Sequence, residues 1–165
     1  MNKNRLLELR HRIDKRRFNI TFTDNNADLI QQSFVQSWHR SDSANIPTER
    51  QQAPINVIKS DQSYYLKKAL GYCQNQLQHI TLQSSMVMAV ADIGSTIIWT
   101  TASKSMQKAA EAVNFIEGGC WGESQVGTNA LALSIKTQQS TCVFSNEHYM
   151  PSVHEWVCYA TPIIE

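Results

Sequence analysis

Two histidines and a cysteine near the end of this 165-residue chain, His148, His154 and Cys158, are the first residues whose types invite chemistry. Imidazole and thiolate both suit zinc and related metals. The three are spread over a loop and a strand with Pro151 between the histidines, so no single face collects them and no metal site is expected. Thiol chemistry is the next candidate. Cys73, Cys120, Cys142 and Cys158 are scattered without a C-x-x-C pair, which excludes a zinc knuckle and a thioredoxin-type motif and predicts free, mostly buried thiols. A reactive cysteine needs an electropositive neighbourhood, and no Lys or Arg adjoins Cys120.

A denser constellation lies in FIEGGCWGESQVG, residues 115–127, which holds four of the six glycines: Gly118, Gly119, Gly122 and Gly127. Glycines let backbone approach another group closely, and Trp121 offers an apolar wall beside them. Glu123 has no carboxylate partner nearby in sequence, so it reads as a hydrogen-bonding anchor of the loop, with the Trp121 indole N–H one of the groups it can reach. Thr128 or Asn129 caps the helix that follows, whose N-terminal N–H groups also suit an anion or a polar oxygen. Trp99 and Trp156 are either core residues or further aromatic walls. With His148 they complete a candidate ligand-binding set of Trp99, Trp121, Glu123, Thr128, Asn129, His148 and Trp156, with no catalytic group and no cofactor.

The elements that must position these residues follow from periodicity. Leu6, Leu9 and Ile13 predict a first helix over 3–17, and Ile30, Phe34 and Trp38 a second, capped at Asp24 or Asn25. From Ser41 to Pro54 the chain is polar, aperiodic and proline-bearing, as a linker is. Asp61 then caps a third helix with a stripe of Leu66, Leu70, Cys73, Leu77 and Ile80. Met86 to Ala91 and Thr96 to Thr101 predict an antiparallel hairpin, the first strand buried on both faces. Ser103 or Ser105 caps a helix to Val113. After the glycine segment come a helix from Ala130 to Thr137, a strand over Thr141–Phe144, a loop, a helical turn at Val153–Glu155 and a last strand over Trp156–Thr161. The order predicts an α+β fold with one antiparallel sheet flanked by helices.

Composition narrows the class. At 42% hydrophobic and 18% charged, the chain has material for a real core and is read as a soluble globular unit. Its longest apolar runs fall far short of the ~20 residues of a membrane helix, and the charged start MNKNRLLELRHRIDKRR has no signal-peptide h-region. The expectation is a cytoplasmic protein. Net charge +1 conceals an asymmetry: residues 1–17 carry seven Lys/Arg and two Asp/Glu (7 − 2 = +5), the remainder eight and twelve (8 − 12 = −4). A basic helix can meet nucleic acid, but a solvated helix face is the simpler reading, and the body offers no basic patch.

The segments WGESQVGTNALALSIKT, STCVFSNEHY and HEWVCYATPI resemble the second half of a GAF domain, and Ser37-Trp38-His39-Arg40-Ser41 resembles the segment before it. The subtype they are similar to is the N-terminal sensor of bacterial sigma-54-dependent activators for acetoin and glycerol/dihydroxyacetone catabolism. The likeness covers roughly residues 30–165. Ala132 stands where that family usually has Gly, and Gly122 where Ser is common. The resemblance implies a GAF-like sheet with an N-terminal helical extension, residues 1–60 being extension and linker and 61–165 the sensor. It implies a signal-input domain that binds an unidentified small metabolite, works as a homodimer and is not an enzyme. It also implies that DNA is reached only through domains outside this chain, which has no phosphate loop and no helix-turn-helix. The family's sheet continues past Pro-Ile with a further strand and a helix, so the last strand here is expected to be an open edge. An enzyme alternative is a stand-alone GAF-fold thiol enzyme reducing free methionine sulfoxide through Cys120 and Cys158.

Overall fold

The computed structural model describes residues 27–47, 49–56 and 64–163, with side chains from Ser33 onward. The helix expected over 3–17, the caps at Asp24, Asn25 and Asp61, and the side chain of Ile30 lie outside the described residues. The first described helix, α1, spans Ala27–Ser43. Phe34 and Trp38 are buried, as their four-residue spacing requires. Ser37 and Ser41 are buried too, and they form a polar stripe beside the apolar one. The helix runs past Ser41, where a linker was expected to begin. Ser41 and Ser43 donate their hydroxyls to the carbonyls of Ser37 and His39, four residues back (2.9 and 2.8 Å), so both are satisfied within a helix.

Asn45, at φ 52°, ends α1 in the left-handed region, and Ile46 N–H returns to the Ser41 carbonyl. The stretch that follows is aperiodic but packed. Ile46 lies with Trp38 and Tyr149, and Ala53 sits in the main core with Ile97, Val113, Trp121, Val126, Met150 and Val153. Ala53 is pinned from both sides, its N–H on the Val113 carbonyl (3.1 Å) and its carbonyl on the Asn114 amide (2.8 Å).

Helix α2, Tyr64–Leu82, buries Leu70 and partly buries Leu66, Cys73 and Leu77. Ile80 is half exposed and Thr81 is buried in its place, its hydroxyl satisfied by the Leu77 carbonyl at 2.7 Å. The helix lies on a hairpin of β1 (Val87–Ala91) and β2 (Ile97–Ala102), antiparallel in register from Val87↔Ala102 to Ala91↔Ile97. The Asp92 carboxylate closes the turn, accepting from the N–H groups of Gly94 and Thr96 at 2.9 Å each.

β1 is not buried on both faces. All five of its residues are half-buried, whereas Ile97 and Ile98 of β2 are fully enclosed. The reason is position in the sheet. β2 is joined on its far side by the glycine segment, where Gly118 N–H meets the Ile97 carbonyl (2.8 Å) and Ile97 N–H meets the Gly119 carbonyl (2.9 Å), while β1 pairs with β2 alone among the described residues.

A short helix α3 follows, Gln107–Ala112. Neither Ser103 nor Ser105 caps it through a hydroxyl. The Ser103 carbonyl takes the first N–H groups, and the two hydroxyls bond each other at 3.0 Å. The glycine segment contains one unexpected turn of helix, α4 (Glu123–Val126), and leads into α5 (Ala130–Thr137). β3 (Thr141–Phe144) then pairs antiparallel with β4 (Val157–Ala160) across two 3₁₀ turns, Ser145–Glu147 and Pro151–Val153. α5 packs on this pair through Ala130, Leu133 and Val143, and Phe34 of α1 joins the same cluster.

The architecture is α+β, but among the described residues the strands form two two-stranded sheets, β1–β2 and β3–β4, where a single sheet was expected. A cavity lined by β1 on one side and by Cys158 and Tyr159 of β4 on the other parts them. β4 has no second strand neighbour among the described residues, and Val157 and Tyr159 are exposed on it.

Besides the packing of Phe34 and Trp38, a polar seam ties α1 to the rest. Arg40 grips the Glu123 carboxylate with two bonds, Nε to Oε2 at 2.6 Å and Nη2 to Oε1 at 2.8 Å. Ser37 donates to the same Oε1 and lies 2.8 Å from the Thr128 hydroxyl, with Ser41 at the edge of the group. A bidentate pair half-sheltered from solvent falls between exposed pairs and fully buried ones. In a double-mutant cycle of Arg40→Ala and Glu123→Ala read by urea unfolding, the expected coupling is about 1–2 kcal/mol. Arg40→Lys is expected to recover less than half, because an ammonium cannot span both oxygens; coupling near zero would show the seam to be ornamental.

Candidate functional site

The cavity between the two sheets measures about 250 Å³. Trp99 of β2, Trp121, Trp156, Phe115 and Leu131 supply apolar walls, and Leu77 reaches it from α2. Phe115 organises the aromatics. It meets Trp121 edge-on at 5.1 Å and Trp156 at 5.8 Å between ring centroids. Sequence reasoning passed over Phe115, although its place at the head of the glycine segment was a usable signal.

Two glycines set the walls. A Cβ on Gly119 would stand 2.1 Å from the Asn114 carbonyl oxygen, so only glycine lets that carbonyl reach the Trp121 indole, which donates to it at 3.1 Å. The indole partner is therefore Asn114, and Glu123 is taken by the α1 seam. Gly127, at φ 77°, passes so close to Tyr149 that a Cβ would sit 2.5 Å from its Cβ. That contact, with Tyr149 N–H on the Thr128 carbonyl at 3.0 Å, sets the adjacent His148 against the start of α5.

Of the seven expected site residues, the structure brings five to the cavity: Trp99, Trp121, Asn129, His148 and Trp156. Glu123 and Thr128 lie in the seam with Ser37, Arg40 and Ser41 instead. Asn129 is the helix cap. Its Oδ1 accepts from Ala132 N–H at 3.0 Å, and its amide donates to the carbonyls of Trp121 and Gly127 at 2.8 Å each, so both donor hydrogens are spent inside the protein. The residues missed were those that hold the site. Glu147 accepts from Phe144 N–H at 2.8 Å and offers its carbonyl to the Trp38 indole at 3.0 Å, while the Tyr149 hydroxyl donates to Asp42 at 2.8 Å.

The thiols and imidazoles are not arranged as a reactive centre. Among the described residues no group of His, Cys, Asp and Glu could hold a metal ion. His154 is turned to the His148 carbonyl, 3.1 Å away. Burial pushes the Cys158 thiol up to about 12, and Cys142 is raised as well, so neither favours the thiolate that nucleophilic chemistry needs. Cys120 is buried against the Gly118 carbonyl.

His148 is different. The residue is 1% exposed, its Nδ1 lies 2.9 Å from the Ser145 carbonyl, and its Nε2 is buried with no hydrogen-bond partner among the described residues. Burial lowers its pKa to about 4, with the Ser145 carbonyl opposing and His154 reinforcing the shift. A ring neutral in the folded state takes up a proton in the unfolded chain first, so below the ordinary value of 6.5 the unfolded state gains stability until about pH 4. The expected loss between those limits is on the order of 3 kcal/mol at ~1.4 kcal/mol per unit. By urea unfolding, wild type should lose stability relative to His148→Gln as pH falls from 6.5 to about 4, with the gap between them constant above that window; parallel profiles through the window would contradict the assignment.

No protein-family model matches the chain. Curated relatives do match. The chain is 27% identical over 141 residues to the acetoin dehydrogenase operon transcriptional activator AcoR of Bacillus subtilis, covering 81% of this chain and 23% of that protein. It is 20% identical over 138 residues to the propane 2-monooxygenase operon transcriptional activator MimR of Mycolicibacterium smegmatis, covering 84% of this chain and 24% of that one. The chain therefore spans about a quarter of the length of these activators. Among solved structures it matches the crystal structure of the E. coli DhaR(N)–DhaL complex, with a TM-score of 0.67 and 17% identity over 81% of this chain and 47% of that chain, a likeness of fold. Over most of its length, then, the chain is similar to the bacterial operon transcriptional activators AcoR and MimR, and its fold is like that of the DhaR N-terminal region.

Proposed function

We propose that this chain is the signal-input region of a bacterial sigma-54-dependent transcriptional activator and that it senses a small molecule in the cavity between the two sheets. The observation that carries the reading is the cavity itself, walled by three tryptophans in a chain whose relatives are activators. Ligand pockets are concave and mostly apolar, with a few placed polar groups, and this one has that character. We read the fold as GAF-like, in a cytoplasmic, non-catalytic module that acts as a homodimer. Residues 1–60 would be an extension whose α1 docks on the sensor of 61–165. Among the described residues β1 and β4 each pair with a single strand and both line the cavity, with Trp121, Asn129, His148 and Trp156 on its wall.

A bound molecule changes output only through different affinity for two arrangements of the protein. Leu77 lines the cavity while Tyr65 and Tyr72 stand exposed on the same helix, so α2 is the element placed to relay occupancy to a partner copy. A second reading, a protein partner in place of a metabolite, is favoured by the presence of DhaR(N) in a complex with DhaL.

Thermal unfolding against neutral diols, ketones and short acids tests the first reading. A ligand at a hundred times its Kd adds about 2.7 kcal/mol, which moves Tm by about 5–10 °C in a chain of this size. Ala89→Phe, which fills the cavity from β1, is expected to abolish the shift. A shift that survives the filling would place the ligand elsewhere, and no shift with any compound would favour the protein partner.

A further inference from the structure

Given the reading of the cavity as the sensing site, its walls say what charge the bound molecule carries. Five of the fifteen residues lining it are aromatic, Trp99, Phe115, Trp121, Trp156 and Tyr159, against 8% Phe, Trp and Tyr in the whole chain. The Phe115 ring plane stands at 73° to that of Trp121 and at 72° to that of Trp156, so these rings meet as adjoining walls of a box and not as a flat stack. Trp121 is fixed in that place by its bond to the Asn114 carbonyl. An aromatic ring carries negative potential on its face, which draws a cation and repels an anion.

No other charge on the wall opposes a cation. Neither Lys nor Arg lines the cavity, and burial holds the His148 pKa at about 4, leaving that ring neutral at physiological pH. Residues 18–165 carry eight Lys/Arg and twelve Asp/Glu (8 − 12 = −4), a field that favours entry of a positive molecule. Hydrogen bonding decides which kind. No Asp or Glu lines the cavity, so the N–H donors of a primary ammonium or a guanidinium find no carboxylate there. A quaternary ammonium has no N–H to satisfy, and its methyl groups pack on apolar rings. Trp99 and Trp156, both on the wall, keep indole N–H groups with no hydrogen bond to a described residue, and these suit an oxygen acceptor on the same molecule. Size sets a further bound. Benzene occupies a cavity of roughly 150 Å³, so this one, at about 250 Å³, holds on the order of ten heavy atoms.

We infer that the cavity is an aromatic cage for a small quaternary ammonium cation, with Trp99, Trp121 and Trp156 as the rings that hold the charge. Tryptophan is the strongest of the aromatic side chains in this role.

Choline and 3,3-dimethylbutan-1-ol are matched probes, alike in shape but with a carbon in place of the charged nitrogen, and ethanolamine carries the primary ammonium. Tryptophan emission reports their binding, because three tryptophans line the cavity. For the wild-type chain choline is expected to bind about five- to thirtyfold tighter than its neutral isostere, the range a sheltered cation–π contact makes, with ethanolamine weaker than choline. Trp156→Leu should lower the choline-to-isostere ratio severalfold, and Trp156→Phe should keep part of it. Protein made with 5-fluorotryptophan, whose ring face is drained of charge with little change of shape, should lose affinity for choline and hold the isostere as before. That measurement decides the matter even if Trp156→Leu does not fold. Choline binding no tighter than its isostere, or not at all, would overturn the cation assignment while leaving the cavity reading to the thermal screen. Binding of either probe that survives Ala89→Phe would overturn the cavity reading itself.

Discussion

The Glu123 carboxylate is the point on which the structure turns. It is buried enough to need partners, and it finds all of them on one helix more than eighty residues earlier, in Arg40 and Ser37. A carboxylate left unpaired there would carry a desolvation cost that the surrounding apolar packing could not offset. Satisfying it requires α1 to dock in one rotation, because Ser37, Arg40 and Ser41 share a face only at helical spacing. That docking brings Trp38 to the Glu147 carbonyl and Asp42 to the Tyr149 hydroxyl. The segment on either side of His148 is thus held by α1, though no described side chain of α1 lines the cavity.

The same arrangement explains a division of labour among residues that look equivalent in sequence. Trp38 and Trp121 both donate their indole hydrogens to backbone carbonyls and are fixed by them. Trp99 and Trp156 are half-buried and face the space between the sheets. Among the polar residues, Thr128 and Asn129 are neighbours with opposite duties. Thr128 completes the α1 seam, and Asn129 ties α5 back to the glycine segment. Among the described residues His148 keeps a buried ring nitrogen, Nε2, without a hydrogen-bond partner.

Much of this was open to reading from the residues alone. The four-residue steps of Phe34 and Trp38, the hairpin around Asp92 and a cap at Thr128 or Asn129 each follow from local spacing or local chemistry, and the structure places them as expected, whereas of the four cysteines expected to be mostly buried only Cys120 is. The motifs also carried the likeness to activators of small-molecule catabolism, which the homology to AcoR and MimR supports. Local rules failed where the deciding partner is distant. Ser41 looked like the start of a linker because its burial depends on Thr128, and Glu123 looked like a ligand contact because Arg40 is remote in sequence.

What the sequence by itself determined, then, is the order of the longer described helices and strands and the residue types gathered around the glycine segment, because these depend on period, capping and backbone freedom within a few residues. The tertiary structure alone decided which polar groups are consumed. It spent Glu123, Thr128 and Asn129 on internal hydrogen bonds, parted the strands into two sheets around a cavity, and left His148 Nε2 bare. The physical reason is that hydrogen-bond satisfaction in a buried site is settled between chain segments far apart, and no local pattern records which acceptor will remain without a donor.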